Sequence, residues 1–112
     1  MSWLVGVSNV LANGLKRPLN WIHLPVPKDR TDVAYFAPAA DLKLAADTEL
    51  YLGLVHSDGA AEANKRAAAA LRHIPSFGVA TECGFGRRDP ETIGDLMAQH
   101  ASVSAPVGPN LR

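Results

Sequence analysis

The chain has 112 residues, of which 47% are apolar, a length and composition that predict one globular domain rather than a disordered chain. Its 11 lysines and arginines balance its 11 aspartates and glutamates, so charge gives no reason to expect a nucleic-acid partner or an anionic membrane. The single cysteine cannot form an internal disulfide, which favours a reducing, cytoplasmic location.

The first third of the chain predicts a helix, a short strand and a long connection. Apolar residues recur at helical spacing over residues 3–16, a stretch too short and too interrupted by glycine to span a bilayer, without a signal-peptide cleavage site. Residues 20–24 (NWIHL) are rich in strand formers, and prolines close the run. In the long connection that follows, we expect a short helical turn over residues 33–36.

The middle of the chain contains the clearest strand and the helix after it. Residues 49–55 (ELYLGLV) are apolar on both faces, which is typical of a strand in a parallel sheet. Ser57 or Asp58 is predicted to cap a helix that extends to about residue 73. The alanine-rich surface of this helix allows close packing on a sheet.

The last third predicts one more strand, over residues 77–81, and a final helix. Asp89 is followed by proline and glutamate, which is a typical helix start. We expect one partial domain over residues 1–103 and a flexible tail over residues 104–112. The alternation of strands and helices predicts an α/β fold with a parallel sheet. Three strands are few for a sheet whose faces and edges need cover, so the chain is expected to be part of a larger α/β architecture.

Three candidate functional residues lie at or just after predicted strand ends: His23, His56 and Cys83. Functional groups of parallel α/β folds collect at this edge of the sheet. A lone cysteine is usually a small buried hydrophobe. Cys83, however, has cationic neighbours and a nearby helix start, which favour the thiolate. A thiolate is a nucleophile or a soft metal ligand, and one cysteine does not distinguish these roles.

The two histidines carry different expectations. His56 is followed by Ser57 and Asp58 and could exchange a proton near neutral pH, but a histidine that only caps the strand end fits the sequence equally well. His23 lies within an apolar run and is more typical of a half-buried histidine with satisfied hydrogen bonds.

Glu82 directly precedes the cysteine. If the strand continues, Glu82 points to the opposite side from Cys83, so we expect it to pair with an arginine rather than to share a metal. If a substrate binds at this edge, the side chains expected to contact it are His23, Glu82 and Asp58.

Two motifs, LYLGLVHSDG and VATECGFGRR, resemble the C-terminal catalytic barrel of cobalamin-independent methionine synthase and its relatives. In that family one strand ends in a histidine and a serine, and the next ends in an acidic residue followed by Cys-Gly. The segment WIHLPVPKDRTDVAYFAP is similar to uroporphyrinogen decarboxylase/methionine synthase-like proteins. The resemblance covers about residues 21–100.

The resemblance implies a (β/α)8 barrel, of which this chain would supply about strands six to eight. It implies a catalytic zinc that activates a thiol for attack on a methyl donor, with Cys83 as the last zinc ligand and His56 as the proton donor. The family's other ligands come from a His-x-Cys motif and a glutamate, and no His-x-Cys occurs in this sequence. A whole barrel also takes about 250 residues.

The expected function is therefore that of the C-terminal part of a zinc-dependent thiol methyl- or alkyl-transferase, inactive by itself, whose substrate is a small thiol. An alternative is a non-catalytic barrel remnant that self-associates or pairs with a complementary barrel fragment. A weaker alternative is a decarboxylase-like relative without zinc. A truncated gene, a split gene or a misplaced start codon would produce such a chain.

Overall fold

The computed structural model describes residues 1–104, which form a three-stranded parallel sheet with helices packed against it. The expected flexible tail lies, from residue 105 onward, outside the described residues. In chain order the elements are α1 (Ser2–Gly14), β1 (Trp21–Pro25), α2 (Val33–Phe36), a 3-10 helix (Ala37–Asp41), β2 (Glu49–Val55), α3 (Ala60–Leu71), β3 (Gly78–Thr81), two 3-10 turns (Phe85–Arg87 and Pro90–Thr92) and α4 (Ile93–Ser104).

The strands lie in the order β1-β2-β3, and both neighbouring pairs are parallel. Trp21 pairs with Glu49 and Leu24 with Leu52, so β1 and β2 run in register from their first residues. The pairing of β2 with β3 shifts between Leu52 and Val55. The predicted α/β class and the parallel sheet are confirmed, and the carboxyl ends of all three strands lie at one edge.

The hydrophobic core lies between one face of the sheet and the helices α3 and α4. Alanines of α3 pack there with full burial, and because they add little volume, the helix backbone lies close to the sheet. Phe36, at the end of α2, is completely buried. The other buried apolar side chains of this core include Leu24, Leu50, Leu52, Leu54, Val79, Leu96 and Val103.

The opposite face of the sheet, which we call the outer face, carries Trp21, His23, Tyr51 and Ala80, which together line a shallow cavity of about 300 Å³. Trp21 is 63% exposed. The His23 ring lies across β2, where a methyl group added at Gly53 would be 2.5 Å from its Nε2. The absence of a side chain at Gly53 therefore leaves room for this close approach.

α1 is attached to the long connection between β1 and β2. The side-chain amide of Asn9 donates to the carbonyl of Asp41 at 2.9 Å and its oxygen accepts from the amide of Lys43 at 2.7 Å. Val5 and Ser8 are buried, whereas several apolar side chains of the outward surface, such as Trp3, are exposed. Within residues 1–104, no helix is long and apolar enough to cross a membrane.

Two helix starts differ from the predictions. α3 begins after Gly59, whose φ is 99°, and no side chain of Ser57 or Asp58 caps it. Asp58 is engaged elsewhere, because its carboxylate binds Arg66. Asp89 does accept a hydrogen bond from the amide of Glu91, but it begins a 3-10 turn, and the α-helix starts only at residue 93.

Candidate functional site

His56 follows β2 directly and is only 5% exposed. Its Nε2 donates to the carbonyl oxygen of Val26 at 2.7 Å, and its Nδ1 lies 3.2 Å from Oε2 of Glu82. Val26 follows β1 and Glu82 follows β3. The buried imidazole therefore connects the carboxyl ends of all three strands.

Glu82 is held from a second side by Arg88. Its Oε1 accepts a hydrogen bond from Nη1 of Arg88 at 2.6 Å, and its backbone amide donates to the carbonyl of Val55 at 3.2 Å. The predicted pairing of Glu82 with an arginine is confirmed. Its contact with His56, which is 26 residues earlier in the chain, was not predicted.

Asp58 is bound to Arg66, a completely buried arginine of α3. Burial alone would raise the pKa of Asp58, but the hydrogen bond and the charge of Arg66 more than offset it, and the pKa lies below its ordinary value. Arg66 also donates from Nε and Nη2 to the carbonyl of Lys28, at 3.0 and 2.6 Å, and from Nη1 to that of Leu54, at 3.0 Å.

The burial of Arg66 was not predicted from the sequence, although its position in α3 indicates it. It directly precedes Ala67 and lies three residues after Ala63, and both alanines belong to the buried stripe of α3. The side chain joins the loop after β1, the end of β2 and the turn before α3. Asp58, which was expected to contact substrate, thus has a structural partner and anchors the loop that follows His56.

Cys83 lies two residues beyond β3, at the same edge of the sheet as His56, and is an exposed free thiol. Gly84 has a φ of 94°, in the left-handed region that favours glycine, and turns the chain after the thiol. The guanidinium of Arg87 lies over this turn, 2.7 Å from where a methyl group at Gly84 would be. Cys83 is therefore presented to solvent, and its neighbour in the chain, Glu82, contacts His56.

The residues at this edge do not by themselves fit a zinc site. Residues 1–104 contain no group of three or more His, Cys, Asp or Glu side chains placed to hold one metal ion. Both ring nitrogens of His56 and both oxygens of Glu82 already have partners. Cys83 is one soft ligand, whereas a catalytic zinc takes three protein ligands and an open position.

His23 does not lie at a strand end, because β1 continues to Pro25 and His23 is its middle residue. The expectation that it joins His56 and Cys83 at the carboxyl edge is wrong in this respect. It is paired with Tyr51 on the outer face. Burial lowers the pKa of His23, so the ring is neutral at neutral pH, and its Nε2 has no hydrogen-bond partner among the described residues.

Comparison of the chain with models of protein families, with curated proteins and with solved structures gives no match in any of the three. The function is therefore inferred from residues and geometry. The carboxyl edge combines a buried imidazole in contact with a carboxylate and, on the residue after that carboxylate, an exposed thiol. Such a set can position a proton and bind one soft metal ion or react with an electrophile.

Proposed function

We propose that this chain is the C-terminal part, about strands six to eight, of a (β/α)8-barrel thiol methyl- or alkyl-transferase resembling cobalamin-independent methionine synthase. The observation that carries the proposal is that His56 and Cys83 follow neighbouring parallel strands, β2 and β3, at their carboxyl ends. In barrels of this kind, catalytic residues come from the carboxyl ends of several strands.

In this proposal His56 exchanges a proton with the substrate. Cys83 is one ligand of a zinc ion that would activate the substrate thiol as its thiolate. At least two further protein ligands must come from outside the described residues, since a catalytic zinc takes three. The chain by itself is then expected to bind zinc weakly and to be inactive. Its own contribution is an imidazole with a fixed orientation and an accessible thiol.

The proposal is tested by supplying the missing β/α units of the barrel as a separate fragment. Zinc affinity is measured by competition with a chromogenic chelator, and alkylation of small thiols is assayed, for the chain alone and after mixing with a fragment carrying the first five β/α units and a His-x-Cys motif. Both properties are expected only in the mixture. Cys83→Ser should then abolish both, and His56→Gln should reduce alkylation while zinc binding persists. Tight stoichiometric zinc on the chain alone, or no gain in the mixture, would refute the proposal.

A non-catalytic barrel remnant is the second candidate, and the outer face favours it. Trp21 is 63% exposed there, and Nε2 of His23 has no partner within residues 1–104. A remnant of this kind self-associates or pairs with a complementary fragment independently of zinc. Sedimentation distinguishes the candidates, because association that is unchanged in Cys83→Ser, without any alkylation activity, supports the remnant. A compact monomer with a cooperative melt contradicts it.

A decarboxylase-like relative without zinc is the weaker alternative. Such an enzyme needs cations to bind a substrate carboxylate at the carboxyl edge of the sheet. Two arginines near this edge, Arg66 and Arg88, are already paired with Asp58 and Glu82. This pairing leaves less positive charge from these two arginines for a substrate carboxylate.

A further inference from the structure

The outward side of α1 carries a row of exposed apolar side chains. Trp3 is 85% exposed and Val10 72%, and Val7 and Leu11 lie beside them, since residues three, four and seven apart share one face of a helix. Gly6 lies in the middle of this row, with open space where a side chain would be. We call Trp3, Gly6, Val7, Val10 and Leu11 the α1 face.

The α1 face points away from the sheet because the other side of α1 is fixed to the rest of the chain. Val5 and Ser8 are buried on that side. Asn9 donates to the carbonyl of Asp41 at 2.9 Å and accepts from the amide of Lys43 at 2.7 Å. The helix cannot turn the α1 face inward without losing these contacts, so covering the face requires another molecule.

The α1 face is complementary to itself. When two copies of α1 lie antiparallel about a two-fold axis between Gly6 and Val7, Gly6 faces Val7 of the second copy and Trp3 faces Val10. At the centre a residue without a side chain thus lies opposite a larger one, which allows the two helix axes to approach to about 8–10 Å. At each end the large Trp3 ring covers Val10. A two-fold interface requires one patch that fits itself in this way.

Electrostatics favours the same arrangement. The α1 sequence, residues 2–14, contains no charged side chain, so two copies meet without like-charge repulsion. In an antiparallel pair the partly positive amino end of each helix lies beside the partly negative carboxyl end of the other. A charged partner, in contrast, gains no ion pair from this face.

We propose that two copies of the chain associate through the α1 face into a two-fold dimer with antiparallel α1 helices. The four apolar side chains of the face expose about 500 Å² per copy, so the dimer buries at most about 1,000 Å² in total, which is the low end for a specific interface. The dimer is therefore weak and forms only at high protein concentration. This association goes beyond the proposed function, because the α1 face lies outside both the carboxyl edge and the outer face of the sheet.

The experiment is sedimentation equilibrium of the full chain from about 1 µM to about 1 mM, a range that covers weak association. Wild type is expected to change from monomer to dimer within this range. Val7 is 53% exposed, so Val7→Glu and Val7→Lys should each keep the monomer folded. In either variant like charges meet at the two-fold axis, and the dissociation constant should rise at least about tenfold. An equimolar mixture of the two variants pairs opposite charges and should regain association.

The matched control is Met97→Glu in α4, where an apolar side chain is 60% exposed. This variant should associate like wild type. Val10→Glu, at a more exposed position of the α1 face, should weaken association as well, and it keeps the test decisive if position 7 does not tolerate a charge.

A wild-type chain that is monomeric at every concentration would overturn the proposal. Association that survives in the position-7 and position-10 variants would place the contact elsewhere, and a mixture of Val7→Glu and Val7→Lys that stays monomeric would exclude the two-fold arrangement. A monomer that binds phosphatidylcholine vesicles, with binding lost in Val7→Glu, would assign the α1 face to lipid instead of a second copy.

The outcome is separable from the test of function. Alkylation of thiols in the reconstituted mixture by a chain that never forms a dimer would refute this proposal and leave the transferase intact. A dimer that responds to the charge at position 7, in a chain that never alkylates thiols, would refute the transferase and leave the dimer intact.

Discussion

Replacement of Arg66 by alanine is expected to destabilise the fold strongly, because one side chain joins three segments. Its guanidinium donates to the carbonyls of Lys28 and Leu54 and pairs with the carboxylate of Asp58. Arg66 is completely buried and the Asp58 side chain is 18% exposed. The alanine variant therefore leaves a mostly buried carboxylate without its counter-charge and two carbonyls without their donor.

Removal of one partner from a buried ion pair costs about 3–5 kcal/mol, chiefly because the other charge stays desolvated. A buried acceptor that loses its donor costs about 1–3 kcal/mol, and this cost overlaps with the first because the same cavity can admit water. We therefore expect the free energy of unfolding to fall by about 3–5 kcal/mol. Since a small domain is stable by about 5–15 kcal/mol, this is a large part of the total.

Urea unfolding followed by circular dichroism measures the change. The control is Lys65→Ala, one residue earlier in the same helix, which removes an exposed pair with Glu62. An exposed pair is worth at most about 1 kcal/mol, so the control should remain close to wild type. If the two variants had the same urea midpoint, the hydrogen bonds and the ion pair of Arg66 would not stabilise the fold as expected.

Two further predictions concern acid stability and the outer face. Because the pKa of Asp58 lies below its ordinary value, its carboxylate stabilises the fold above about pH 4 and this contribution is lost on further acidification. The urea midpoint should fall less steeply there in Asp58→Asn, and equal slopes would contradict the assignment. Gly53→Ala places a methyl group against His23 and should cost about 1–3 kcal/mol. The control is Gly94→Ala, which has open space in α4 and should stabilise the fold by about 0.5–1 kcal/mol. A Gly53→Ala variant as stable as wild type would show that the His23 ring moves freely.

The strands could be predicted because their signals are local. Residues 49–55 consist of a glutamate followed by an apolar run rich in strand formers, and the structure gives β2 the same bounds. The short helix over residues 33–36 was also predicted correctly. The first strand ends one residue later than predicted, at Pro25, and this leaves His23 in the middle of the strand. β1 is an edge strand, where proline is tolerated, so the composition alone did not fix that boundary.

The contacts of the candidate site could not be predicted, because they depend on distances between separate elements. The sequence indicates that His56 and Glu82 follow neighbouring strands, but only the register of β2 against β3 brings their side chains into contact. The burial of Arg66 depends on the rotation of α3. Lys65 and Arg66 are adjacent, and in a helix neighbouring residues point about 100° apart. One of them is exposed and the other completely buried.

The way α1 is attached is expected to let this helix detach from the rest of the structure without global unfolding. It is fastened by the side chain of Asn9 to residues 41 and 43 and by a few buried side chains, such as Val5. Elements with few buried contacts open at a lower free energy than the global unfolding. Amide hydrogens of α1 should therefore exchange with deuterated solvent well before those of β2. A protease that cleaves within residues 15–20 could detach the helix while the three strands remain folded.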